Sequence, residues 1–173
     1  MKLDTLHGLF VHKIQAIYDA EKQITETMPT LIDLCSSQTL KSNMKKHLTE
    51  TEKQIEKLEK LCDEMNIELE GPSNLAMEGM IDDTMELISD SEPSPILDAA
   101  IISAAQAVEH YEISCYGTAA EWADLMSHDN AKEILGEILT EEKATDELLT
   151  QMAKDINEKA MQMAGSIPMG RMG

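Results

Sequence analysis

Acidic residues recur at matched positions in four segments of the chain that have the pattern of long helices. Folding each pair of segments back on itself, with bends near residues 36 and 127, brings these acids to one depth in a helical bundle. Four of them lie 14 or 15 residues from a bend, and two lie 18 or 19 residues away, about one helical turn further along. The acids that share this spacing are Glu21, Glu50, Glu109, Glu112, Glu142 and Asp146.

A buried cluster of carboxylates needs a counter-charge, because each unpaired buried charge would cost several kcal/mol. Divalent metal is the simplest source of that charge. Oxygen-rich sites suit manganese, iron, magnesium or calcium, whereas zinc and copper sites usually recruit cysteine or several histidines. The sequence therefore predicts a carboxylate-rich metal site in the middle of the bundle.

The elements that must position these acids are predicted from apolar periodicity. Steps of three and four residues run through residues 3–35, 38–66, 94–126 and 129–163, and the acids occupy the apolar stripe at the middle of each segment. Aromatic residues make up only 3% of the chain, and Met, Leu, Ile, Ala, Glu and Lys dominate it. An all-α four-helix bundle follows.

The connection between the second and third segments spans about 28 residues, from Asn66 to Pro93, and contains a short amphipathic pattern. Its length allows it to run along the bundle, so we predict two antiparallel hairpins joined by a long crossover with a short extra helix. Residues 1–163 are predicted to form a single domain. Residues 164–173, which contain Gly, Pro and Met without periodicity, are predicted to be a flexible tail.

A formal net charge of −19 argues against binding to nucleic acid or to an anionic membrane. No stretch reaches the roughly 18 apolar residues that a membrane span requires, and the first residues lack the apolar core of a signal peptide. Three cysteines stand far apart, at positions 35, 62 and 115, which is typical of a reducing compartment. A cytoplasmic protein is expected.

Other polar residues near the acids have both structural and functional interpretations. Gln54 and Tyr116 lie one turn from acids and are predicted to hold ligands by hydrogen bonds, although each could be an interior side chain with a satisfied polar group. His47 and His110 are interpreted as ordinary core or surface histidines. Glu141 competes with Glu142, but it lies one residue off the apolar stripe.

Five segments of the sequence match, in order and spacing, a known group of proteins. The stretches YDAEKQI, HLTETEKQIEKLE, AMEGMI, AAQAVEHYEISCYGT and LTEEKATDELL resemble the YciE/YciF-type family of bacterial ferritin-like proteins, over roughly residues 5 to 155. The resemblance implies a ferritin-like bundle, a homodimer, an association with stress response and a dinuclear site of two divalent ions, iron first and manganese second. The six acids named above are the family's metal ligands by this resemblance.

The site departs from the wider superfamily, in which Glu-x-x-His pairs supply histidine ligands. Glu50 is followed three residues later by Lys53, and Glu142 by Thr145. The leading hypothesis is a dinuclear metalloprotein that handles peroxide or oxygen, an oxidoreductase if it turns over. The alternatives are a non-enzymatic, stress-related dimer with a structural or vestigial metal site, and a helical adaptor without metal.

Overall fold

The structure, a computed structural model, describes residues 4–164. Within these residues the backbone forms five α-helices and no strand. The helices are α1 (Leu6–Leu34), α2 (Gln38–Met65), α3 (Leu75–Ile88), α4 (Pro95–Leu125) and α5 (Asp129–Ala164). The predicted bundle of two antiparallel hairpins and a crossover with an extra helix, α3, is confirmed. The tail predicted over 164–173 lies outside the described residues from position 165 onward.

Short polar residues set the starts of four helices. Thr5, Ser37, Asn74 and Ser94 each accept a hydrogen bond from the backbone N–H three residues further on, which satisfies one of the free donors of the first turn. Pro95 follows its cap at the first helical position, where a missing N–H is tolerated. Helix boundaries are therefore encoded locally.

Asp98, near the start of α4, fixes the bend between α1 and α2. Its carboxylate is buried and accepts hydrogen bonds from Ser36 N at 2.8 Å, Ser36 Oγ at 2.6 Å and Ser37 N at 2.9 Å. Ser37 caps α2, so the contact joins the N-terminal ends of α2 and α4. The two hairpins are aligned at this end by a single side chain.

Two apolar clusters fill the bundle, one toward each end. The first combines residues from the second half of α1 with those from the start of α2 and α4 and the later part of α5, and it contains Met28, Leu40, Ile101 and Leu149. The second contains Phe10, Leu58 and Leu135 among others. Among the described residues, no helix is both long enough and apolar enough to cross a bilayer.

The crossover helix α3 is attached to the bundle by its N-cap residue, Asn74. The Asn74 side chain donates to the Ala16 carbonyl of α1 at 2.7 Å and lies 2.8 Å from the hydroxyl of Tyr111 of α4, and the Asn74 backbone N–H donates to Asp19 Oδ2 at 2.6 Å. Met77, one turn later, is fully buried. The helix is held against α1 and α4.

Replacing Asp98 with alanine should destabilise the protein by about 3 kcal/mol, because three donors at the bend lose a charged acceptor inside the protein. Urea unfolding of D98A measures the loss. The matched control is D82A, on the exposed face of α3, which should change stability by no more than about 0.5 kcal/mol. Equal stabilities for the two variants would contradict the role given to Asp98.

Candidate metal centre

A polar layer separates the two apolar clusters at the middle of the bundle. Its acids are Glu21 of α1, Glu109 and Glu112 of α4 and Glu142 of α5, none more than 3% exposed. From α2 come His47, Thr51 and Gln54, which are also buried. Each residue lies on its helix between buried apolar neighbours, so the packing of the two clusters brings the acids to one level.

Three of these side chains offer ligand atoms at metal-binding separations. One donor atom each from His47, Glu109 and Glu142 lie within 4.8 Å of one another. The ring nitrogen Nε2 of His47 is 3.0 Å from Oε1 of Glu109. The three residues come from three different helices, and a cation between them would be bound by one nitrogen and at least two oxygens.

Several oxygens of this layer lack partners. Glu21 Oε2, Glu142 Oε2, Gln54 Oε1 and both carboxylate oxygens of Glu109 are buried and accept no well-directed hydrogen bond from any residue between 4 and 164. The contact between His47 and Glu109 has the distance of an ion pair without the direction of a hydrogen bond. Buried polar atoms without partners are rare in native proteins, and a bound ion is one of the few arrangements that explains a group of them.

Burial and mutual repulsion favour protonated acids in the absence of metal. Burial is the main cause that raises the pKa of Glu142 to about 10, and the charges of Glu109 and Glu21 add to it. Burial, followed by the charges of Glu21, Glu142 and Glu109, raises the pKa of Glu112 well above its usual value. These carboxyls cannot all ionise together at neutral pH unless a cation enters.

Tyr116 and Gln54 each contact one of the buried acids. The fully buried hydroxyl of Tyr116 donates to Glu21 Oε1, which favours the ionised form, yet burial still raises the pKa of Glu21 to about 7. The amide of Gln54 donates to Glu142 Oε1 at 2.6 Å and to Glu141 Oε2 at 3.1 Å. Both side chains orient a carboxylate while leaving its second oxygen available.

Two of the sequence-predicted ligands are not in this buried cluster. Glu50 is one-third exposed, and its carboxylate is 3.1 Å from the ammonium of Lys46. Asp146 is nearly one-quarter exposed; its Oδ2 lies 3.2 Å from His110, and its Oδ1 accepts from Gln106. The structure therefore brings together Glu21, Glu109, Glu112 and Glu142 and leaves these two acids at the margin.

His47 and Thr51 are the residues of the layer that the sequence analysis did not select. The sequence pattern alone predicts an ordinary core or surface histidine at position 47 and places Glu50 on the buried stripe of α2. The buried series of α2 instead runs from His47 through Thr51 to Gln54, in steps of four and three. The spacing of α2 allows either position 50 or position 51 on the buried stripe between His47 and Gln54. Thr51 takes the interior position because it is less polar than Glu50.

Burial opposes the charge of His47, yet the carboxylates of Glu109, Glu21 and Glu50 outweigh that effect and raise the pKa of His47. The charge of Glu50 thus acts on His47 even though the Glu50 side chain points toward Lys46. The histidine and the marginal acid also line the same cavity between α2 and α5. Glu50 is close to the cluster without belonging to it.

The similarity to known proteins extends over nearly the whole bundle. The profile of the family described as "Domain of unknown function (DUF892)" matches residues 5–162. The chain belongs to this family. It is 39% identical over 166 residues to Protein YciF of Escherichia coli strain K12, an alignment that covers 95% of this chain and all of that protein.

Solved structures of relatives have the same fold. The E. coli stress protein YciF superposes with a TM-score of 0.86 at 39% identity, covering 90% of this chain and 99% of that one. YcfI of Rhodopseudomonas palustris, named as a candidate structural protein, gives 0.83 at 37% identity, covering 86% and 95%. A Xanthomonas campestris protein, at 18% identity and a TM-score of 0.66, shares the fold.

The donor set fits a hard or borderline divalent ion. It consists of carboxylates with one imidazole and no thiolate, which suits iron or manganese better than copper. The unpartnered oxygens of Glu21, Glu109 and Glu142 lie in the same layer, where burial and then neighbouring charges raise the pKa of Glu142. A cation would satisfy the oxygens and remove the repulsion at once.

The free energy of unfolding of the metal-free protein should fall as the pH rises. A carboxyl whose pKa is raised in the folded state stabilises that state at low pH, and its contribution is lost between pH 4.5 and about 7 for Glu21 and between 4.5 and about 10 for Glu142. From about pH 5 to about pH 8, the loss should be at least about 1 kcal/mol. Urea unfolding in the presence of a chelator measures it.

The variant E142Q separates this effect from general pH sensitivity. Glutamine keeps the shape and the acceptor oxygen for Gln54 but cannot ionise, so E142Q should lose less stability over the same pH range than the unchanged protein. E133Q, on the exposed side of α5, should behave like the unchanged protein. Parallel curves for E142Q and the unchanged protein would contradict repulsion at the centre.

Proposed function

We propose that the protein is a ferritin-like metalloprotein with a dinuclear iron or manganese site that reacts with a small oxidant. The observation that carries the proposal is the group of buried carboxylate oxygens without partners beside His47, between two apolar clusters. The residues that would hold the ions are His47, Glu21, Glu109, Glu112 and Glu142 of the buried layer, together with Glu50 at its margin. When bound, such ions supply Lewis acidity and electron transfer.

The side chains of the protein contribute positioning and a dry environment. Gln54 fixes Glu142 through a hydrogen bond of 2.6 Å, and Tyr116 fixes Glu21, so both acids present their other oxygen to the centre. The apolar clusters above and below the layer exclude bulk water, which strengthens every electrostatic interaction there. The site is built to bind cations in a fixed geometry.

We include Glu50 in the proposed ligand set, although binding an ion would break its contact with Lys46. It lines the same cavity as His47, and its charge already acts on that histidine. Asp146 has a weaker claim, since His110 and Gln106 hold its two oxygens. Glu50 would turn inward when an ion enters, whereas Asp146 would stay at the margin.

A second candidate is a non-enzymatic, stress-related dimer in which the ion is structural. It is favoured by a single histidine at the centre, where the superfamily usually has two, and by the name of the R. palustris relative as a candidate structural protein. A homodimer in the cytoplasm is part of both proposals. The buried, free thiols of Cys35, Cys62 and Cys115 are consistent with a reducing compartment.

Loading with iron(II) or manganese(II) should give about two ions per chain, as in other carboxylate-bridged bundle sites. The variants E109Q and H47A should each weaken binding by about tenfold or more, because each removes a ligand from the buried group. Elemental analysis and calorimetric titration measure number and affinity. E133Q is the matched control and should bind like the unchanged protein. No ion bound after loading would end the proposal.

Peroxide and oxygen consumption distinguish the two candidates once metal is bound. Turnover that disappears in E112Q supports the oxidoreductase, because Glu112 is at the centre of the acid group. Stoichiometric metal without turnover of either oxidant supports the structural alternative. Multi-angle light scattering of the same samples measures whether the chain is a dimer.

The variants E50Q and D146N test the margin of the ligand set. E50Q should weaken metal binding by about tenfold, and D146N should weaken it by less than about threefold. Both changes keep shape and remove charge, so the comparison controls for the loss of one negative charge near the centre. If E50Q and D146N weaken metal binding equally, Glu50 and Asp146 contribute alike to the site, as the sequence pattern predicts.

A further inference from the structure

An apolar cavity lies directly against the candidate metal centre. Its volume is about 50 Å³, and residues of α1, α2, α3 and α4 enclose it. Two of the lining residues, His47 and Glu109, belong to the proposed ligand set. The cavity therefore connects to the side of the centre that faces the crossover helix.

The other lining residues give the cavity its chemistry. Apart from the two ligands, the walls carry aliphatic side chains, methionines and the threonines Thr27 and Thr84. The hydroxyl of Thr84 already donates to the Met80 carbonyl at 2.7 Å, so the remaining polar groups of the walls are Thr27 and, at the inner end, His47 and Glu109. Walls that are mainly aliphatic favour small apolar molecules.

Size restricts the guest further. One water needs only about 10–15 Å³ of such space, so 50 Å³ accommodates a diatomic or other very small molecule and excludes a metabolite. Thr27, Ile81, Ala104 and Val108 are only partly buried, which places the outer wall between α3 and its neighbours. A small guest has a short path from the surface to the ligands.

A second cavity, on the α2 and α5 side of His47, has a different character. Its volume is about 160 Å³, and Lys46, Glu50, Glu141 and Asn43 stand among its lining residues. Charged and hydrogen-bonding groups suit cations, water and hydrogen peroxide. The centre is thus approached by one largely apolar cavity and one cavity of mixed character, which share His47 and Met44.

We propose that the apolar cavity is a binding site and access path for dioxygen, so that dioxygen, and not hydrogen peroxide, is the oxidant delivered from the α3 side. The role of dioxygen as an oxidant rests on the proposed function, but binding of dioxygen in the cavity can be tested without metal. Hydrogen peroxide would lose hydrogen bonds along the aliphatic walls and recover them only at the inner end, at His47 and Glu109, which opposes its entry. Dioxygen loses none.

The first experiment uses the metal-free protein with methyl-labelled methionines. Dissolved dioxygen is paramagnetic and should relax the methyl groups of Met28 and Met44 about threefold more than that of Met77. Met28 is the specific reporter, because Met44 also lines the second cavity. Met77 is the internal control because it is fully buried outside the cavity lining. Equal relaxation of the three methyls would overturn the proposal, whether or not the protein binds metal.

Variants that fill the cavity complete the test. A104L narrows it from α4 and T27L from α1, and each should reduce the enhancement at Met28 to the level of Met77. The enhancement at Met44 should fall less, because Met44 also lines the second cavity. A107L is the matched control, on the same helix but outside this cavity. Circular dichroism establishes whether each variant is folded. If A104L does not fold, T27L still tests the proposal, because Thr27 is partly exposed and tolerates a larger side chain more easily.

The iron(II)-loaded protein then distinguishes the two oxidants. A104L should slow iron oxidation by dioxygen about tenfold and leave oxidation by hydrogen peroxide within about twofold, since only dioxygen uses the filled path. Equal slowing with both oxidants would overturn the selectivity. If no iron binds while Met28 and Met44 respond to dioxygen, the proposed metal function fails and the gas site stands.

Discussion

The central constraint in this structure is a group of carboxylates held in the middle of a helical bundle, where burial and mutual repulsion both oppose their ionisation. Glu21, Glu109, Glu112 and Glu142 are nearly inaccessible to solvent, and oxygens of Glu21, Glu109 and Glu142 accept no hydrogen bond from the described residues. Burial first, and the charges of Glu109 and Glu21 second, raise the pKa of Glu142, so protonation relieves both costs in the metal-free state. A cation relieves them more completely, because it provides both charge and coordination.

Two apolar clusters offset the unfavourable free energy of burying the polar layer. Each is built from all four long helices and lies on one side of the acids, so the helices are aligned independently of what occupies the centre. Hydrophobic burial on this scale contributes far more than the few unfavourable interactions of the layer. Asp98 adds a fixed bend at one end through its bonds to Ser36 and Ser37.

Much of this arrangement could be predicted from the sequence. The apolar stripes located all four long helices and the short helix in the crossover, and they placed Glu21, Glu109, Glu112 and Glu142 in the interior. Glu50 was harder, because positions 50 and 51 both continue the stripe of α2 and only packing favours Thr51. Lys46 then pairs with Glu50 one turn away, a contact that keeps the acid at the surface.

His47 shows the limit of reasoning from one helix at a time. A histidine on an apolar stripe is most often a core residue, and only the third dimension shows that its ring nitrogen meets Glu109 of another helix at 3.0 Å. The cavities on either side of His47 were equally invisible, since their walls combine residues from up to four helices. Local pattern locates acids on a helix, but contacts between helices assemble a site.

Helix α3 supplies none of the acids or the histidine of the central layer, yet it forms one wall of the apolar cavity through Ile81 and Thr84. Under the proposed function, the coordinating atoms come from the four long helices, and α3 contributes only to the wall of the cavity. Substitutions along the crossover can retune which small molecules approach, while the four long helices keep the coordinating atoms in place. Relatives with one shared centre can in this way diverge in selectivity by changing a single peripheral helix.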